Sequence, residues 1–149
     1  MTMAKYPIER EIEIDAPVDV VWRTITEPEQ ISQWFAERVE LELKPGGRGS
    51  LVLEGDPDPI VVQTVEPPTR FSFRWNHPAG EEPVAGNSML VEFTLVAEGE
   101  RTRLRVVESG HELFGWPDSE KQRYADEHLE GWTIFTDRLA SLLAQRPRG

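Results

Sequence analysis

Glu108 is the side chain in this 149-residue sequence whose position most invites chemistry. In Leu104-Arg105-Val106-Val107-Glu108 it shares strand parity with Leu104 and Val106, so a strand that runs on without a bulge turns it inward. A carboxylate facing a dry interior is costly unless it is paired or protonated, which makes an inward Glu108 a candidate ligand anchor or general acid/base. The alternative is a strand that ends near Val107 and leaves Glu108 in water. Glu54 and Gln63 are weaker candidates of the same type.

Three histidines accompany it. His128 lies on an apolar helical stripe one turn before Trp132. It is either a partly buried helix histidine with one hydrogen bond or a polar group offered to a pocket ligand. His77, beside Pro78, reads as a loop residue. His111-Glu112 lacks the second histidine four residues on that a zincin helix needs, and His128-Leu129-Glu130 has no cysteine pair behind it, so no metal is expected and no cofactor is implied. The sequence has no cysteine, which removes disulfides, thiolate ligands and a cysteine nucleophile. Ser88 and Ser109 sit in Gly-Asn-Ser-Met-Leu and Glu-Ser-Gly-His, neither of them a nucleophile elbow. No catalytic residue can be assigned. Gly46-Gly47-Arg48-Gly49 lies between two strands rather than before a helix, so it reads as a hairpin turn and not a phosphate loop.

The elements that must position these groups follow from periodicity. Ile8–Ile14 alternates as a half-buried strand. Asp15-Ala16-Pro17 signals a helix start, with Val18, Val21, Trp22 and Ile25 on one face. Thr26-Glu27-Pro28-Glu29 reads as a capping box opening a second short helix with Ile31, Trp34 and Phe35 on its apolar side. From Val39 the period becomes two through six short strands, the facing of Ile60 to Val65 being ambiguous because Ile60-Val61-Val62 does not alternate. Short turns between them point to an antiparallel meander with one dry face. Ser119 to Gln122 reads as another capping box, opening a long helix with apolar positions at Tyr124, His128, Leu129, Trp132, Phe135, Leu139, Leu142 and Leu143, stopped by Arg146-Pro147. That stripe needs the dry face of the sheet to cover it.

Composition bounds the rest. One domain, residues 1–149, is expected at this length. The formal charge is −11, from 27 acidic and 16 basic residues, which opposes nucleic-acid binding. No run approaches a membrane span and the first residues carry no apolar leader core, so a cytoplasmic protein is expected.

Three stretches, Ala16-Pro17-Val18-Asp19-Val20-Val21-Trp22 with Pro28-Glu29-Gln30-Ile31-Ser32-Gln33-Trp34-Phe35, Pro45-Gly46-Gly47-Arg48-Gly49, and Gly131-Trp132, resemble the domain homologous to the C-terminal half of the heat-shock-protein ATPase activator, within the START-like (SRPBCC) superfamily. The chain looks like its stand-alone bacterial members. The resemblance implies an α+β helix-grip fold: a curved antiparallel sheet wrapping a long C-terminal helix, with two short helices after the first strand. In such a fold the short helix carrying Trp34 and Phe35, and the loop with Trp116, border a cavity mouth; Trp75 and Trp132 lie toward the interior.

The leading expectation is a binding protein for a small apolar or lipid-like molecule, lined by Trp34, Phe35, Phe73, Trp75, Phe93, Glu108, His111, His128 and Trp132. The alternatives are a cyclase-, hydrolase- or isomerase-type enzyme using Glu108 and a histidine, and a co-chaperone-like interaction module. A homodimer and a chaperone are the macromolecular partners to consider.

Overall fold

A computed structural model describes residues 6–78 and 80–144. The alternating segments become seven strands: β1 (Ile8–Ile14), β2 (Arg38–Leu41), β3 (Arg48–Val52), β4 (Asp58–Glu66), β5 (Arg70–Trp75), β6 (Met89–Glu98) and β7 (Arg101–Ser109). They form one antiparallel sheet in the order β1-β7-β6-β5-β4-β3-β2, so β2 to β7 are a meander and β1 closes against its last strand. Helices α1 (Val18–Thr26) and α2 (Pro28–Ile31) fill the connection from β1 to β2, and α3 (Asp118–Ala144) ends the described chain. The antiparallel meander and long final helix expected from the residue pattern are present, and the α+β helix-grip architecture that the resemblance implies is the observed one. The stop at Arg146-Pro147 and the leader reading of the first five residues lie outside the described residues.

The alternation assigns the two faces of the sheet. Glu9, Glu11 and Glu13 of β1 pair with Arg105, Arg103 and Arg101 of β7 on the solvated face. These half-exposed pairs contribute little each, roughly 0–1 kcal/mol. Their real constraint is on parity: with the charges outside, Leu104, Val106 and Glu108 are inside. The ambiguity of Ile60 to Val65 has a local cause, a register shift between Val62 and Thr64. It leaves Ile60 and Val62 buried and Gln63 exposed, where Gln63 accepts from Arg74 Nε at 2.8 Å.

At 1.5 Å per residue the 27 residues of α3 make a rod about 40 Å long, enough to cross the sheet. Its buried positions are Ala125, Trp132, Thr136, Leu139 and Leu143. Leu129, expected on the apolar stripe, is exposed. Thr136 takes a core position because its hydroxyl bonds back to the Trp132 carbonyl at 2.7 Å, so burial leaves no donor unpaired.

The expected caps are displaced. The N-cap of α1 is Pro17 rather than Asp15. Thr26 ends α1, its hydroxyl bonding to Trp22 O at 2.7 Å, and Glu27 takes the cap position of α2. Ser119 lies within α3, and the Pro117 carbonyl receives the Glu120 and Lys121 amides. In each case a proline-containing segment sets the start of the helix by its restricted φ, and the Ser/Thr-x-x-Glu/Gln spacing is incidental.

Candidate functional site

Strand β7 runs to Ser109 and carries Glu108 into the core at 1% exposure, opposite Ile8 of β1 and Val91 of β6. Gly110 then takes φ +118, and a Cβ there would stand 2.6 Å from Ser88 O, so only glycine lets β7 turn off at this point. The turn brings in a 3-10 segment at His111–Leu113.

Four donors converge on the Glu108 carboxylate. Trp132 Nε1 donates to Oε1 at 2.8 Å and Trp75 Nε1 donates to Oε2 at 3.1 Å. The Tyr124 hydroxyl donates to Oε2, and His128 Nδ1 lies 2.8 Å from Oε1. An indole N–H can only donate, so both oxygens are acceptors, and His128 completes the set with its proton on Nδ1. A carboxylate offers about four lone-pair sites, so Glu108 is saturated by its own protein. The energetics favour this arrangement: hydrogen bonds to a charged group contribute about 1.5–3 kcal/mol each, and together they offset a desolvation cost that would otherwise exclude the charge.

Each donor is placed by simple means. Tyr124, His128 and Trp132 are spaced by four on α3 and share one face. Tyr124 and His128 stack with centroids 3.8 Å apart, and Trp75 meets Trp132 at 5.9 Å. Asn76, at φ +57 just past β5, donates from Nδ2 to the Tyr124 hydroxyl at 3.2 Å. Asparagine is among the few non-glycine residues that tolerate that backbone. Burial first, then the neighbouring Glu108 charge, push the Tyr124 phenol well above its ordinary range. The His128 side chain keeps 25% exposure and gives this group its contact with water.

His111 is buried but stays outside the carboxylate group. Its Nε2 lies 2.8 Å from Tyr6 O, its ring stacks on Tyr124 at 5.4 Å, and Nδ1 stands 3.3 Å from Glu112 Oε2 without hydrogen-bond geometry. It supports Tyr124 from behind.

The remaining expected residues form a second region. Trp34, Phe35, Phe73 and Phe93 are buried at 2–6% exposure, and with Ile25, Ile31, Val39, Leu41, Leu51, Ile60 and Phe71 they border an apolar slot of about 10 Å³, room for one water at most. Outside it lies an open groove of about 420 Å³ between the end of α2, the β3–β4 turn and α3, reached by Leu53, Glu54, Phe135 and Arg138. Trp34 and Phe35 line both spaces and are the partition between them. Trp34 is pinned by its indole N–H to Thr24 O at 2.9 Å. Phe35 is held by ring contacts alone, to Trp132 at 5.2 Å and Phe135 at 4.9 Å.

Eight of the nine residues singled out in the sequence therefore separate into two groups, in contact through Phe35, Phe73 and Phe93 against Trp75 and Trp132, and His111 belongs to neither. Glu54 and Gln63 are exposed. Sequence reasoning missed Tyr124 as a partner of Glu108 and Asn76 as a partner of Tyr124. The four-residue spacing of Tyr124 to His128 was a usable signal for the first, whereas nothing local marks Asn76. Among the described residues no three ligating side chains gather closely enough to hold a metal, and no helix is long and apolar enough to cross a membrane.

A sheet of this order gripping a long final helix defines the helix-grip class. Residues 15–144 match the family described as activator of Hsp90 ATPase homolog 1-like protein, and the chain belongs to that family. Among solved structures it resembles MLL2253 from Mesorhizobium loti at 27% identity, covering 94% of this chain and 99% of that one with a TM-score of 0.75. It also resembles DynU16 from the dynemicin biosynthetic locus at 31% identity, covering 95% of this chain but 48% of that one, with a TM-score of 0.76. The Aha1 dimer from Colwellia psychrerythraea shares the fold at 17% identity, with 95% and 96% of the two chains covered and a TM-score of 0.74. Comparison with curated proteins finds no match.

Proposed function

We propose that this protein binds a small, mainly apolar molecule that enters from the groove beside α3, displaces the Phe35 ring and occupies the slot against β3 to β6. The observation that carries the reading is the shared partition: an open groove and an apolar slot are separated by one pinned ring, Trp34, and one that only packing holds, Phe35. Apolar contacts lack direction, so a ligand can replace those that Phe35 gives up. The Glu108 group lines neither space; it lies behind them, with Trp132 in ring contact with Phe35 and Phe93.

The enzymatic alternative has one observation in its favour, the Glu108–His128 pair with His128 partly exposed. Against it, the Glu108 side chain is wholly enclosed and both of its oxygens are occupied, leaving no lone pair for a substrate proton.

The test is a titration with N-phenyl-1-naphthylamine, a neutral dye that fluoresces in apolar surroundings. Saturable binding to the native protein, strengthened in Phe35→Leu, is expected. No saturable binding by either protein would overturn the reading.

A further inference from the structure

We infer that the preferred ligand is amphipathic, with an anionic head held by Arg138 at the groove and an apolar body behind Phe35. The inference rests on the binding reading above and adds the chemistry of the head group.

Acids outnumber bases by 27 to 16, so a guanidinium on this surface has many carboxylates within reach. Nine of the described lysines and arginines do pair with a carboxylate: Arg10, Arg23, Lys44, Arg48, Arg70, Arg101, Arg103, Arg105 and Arg123. Arg138 does not, although Glu37 and Glu54 border the same groove and Asp137 precedes it. Asp137 is taken by Arg10 at 3.0 Å. Arg138 instead lies over the Phe135 ring, 5.7 Å from its centroid, and Phe135 touches Phe35. The cation thus sits on the aromatic floor that leads to the partition.

A planar guanidinium on an aromatic face keeps its fork of N–H donors for a carboxylate, sulfonate or phosphate. A lone apolar body would gain nothing from it. An ammonium head would be repelled by Arg138; Glu37 and Glu54 line the same groove, neither in an ion pair among the described residues. The two carboxylates weaken an anion's hold, so their removal must act in the opposite direction to removal of Arg138.

The experiment compares two dyes with closely similar bodies, 8-anilinonaphthalene-1-sulfonate and N-phenyl-1-naphthylamine, and reads the ratio of their association constants. In Arg138→Gln the ratio should fall about twofold to fivefold in favour of the neutral dye, the range for an exposed ion pair. Glu54→Gln should raise it, and high salt should compress it in the native protein. Arg38→Gln, at an exposed arginine outside the groove that also has no carboxylate partner, serves as the control and should leave the ratio where it was. A ratio unmoved by Arg138→Gln, or moved equally by Arg38→Gln, would overturn the inference while leaving apolar binding intact. Failure of both dyes to bind would overturn the binding reading and the inference with it.

Discussion

The two halves of the aromatic interior hold together by different means. Around Glu108, four directional bonds fix four aromatic side chains to one charge. Around the slot, Trp34, Phe35, Phe73 and Phe93 meet chiefly through ring contacts between 5.4 and 6.4 Å, with a single polar anchor at Trp34. Directional bonds to a buried charge are all needed at once, because losing one leaves a desolvated group without its partner. Apolar contacts can be exchanged for others at small cost. The first region is therefore built to stay, and the second is the one that the proposed ligand would enter.

Substitutions should break that contrast in order of size. Glu108→Gln places amide hydrogens against indole and phenol donors, and urea unfolding should show a loss of about 3–5 kcal/mol. A loss below about 1 kcal/mol would mean that the charge is not what organises the group. Trp132→Phe removes one donor from Oε1 and should cost about 1.5–3 kcal/mol by the same measurement.

Tyr124→Phe should act through pH as well. The folded protein holds the phenolic proton more tightly than the unfolded chain, since burial and Glu108 raise its pKa. Native Tyr124 therefore contributes stability that is fully present below the unfolded value near pH 10 and lost as pH rises above it. Stability measured between pH 9 and pH 11 should decline less steeply in the variant than in the native protein. An equal decline would place the proton elsewhere. Phe35→Leu should be the mildest, costing less than about 1.5 kcal/mol, yet it should change dye binding more than any substitution around Glu108 that still folds.

Most of the architecture was legible because it depends on local period: alternation gave the strands, and the spacing of apolar residues gave α3. Glu108 was legible for the same reason, since parity alone turned it inward. Its partners were only partly so. Trp75, His128 and Trp132 drew attention as interior candidates, but that all of them donate to one carboxylate depends on how β5 and α3 lie across β7, which no window of sequence encodes. Asn76 reaches Tyr124 only because of its left-handed backbone. The caps misled because Thr26 and Ser119 have the right spacing but sit next to prolines that set the helix starts instead. The division of eight of the nine residues into a hydrogen-bonded group and an apolar one is likewise a property of packing, visible only once the sheet and α3 are brought together.

One spectrum can test that division directly. The sequence has five tryptophans, and their indole N–H resonances report on both regions together: Trp34 on the partition, Trp75 and Trp132 on the Glu108 group. On titration with N-phenyl-1-naphthylamine, the Trp34 resonance and the methyls of Leu51 and Ile60 should shift most and with a common saturation curve, with Trp75 and Trp132 shifting less, through their ring contacts with Phe35, Phe73 and Phe93. A saturating titration in which Trp75 shifts most, or in which the slot methyls do not move, would contradict the account.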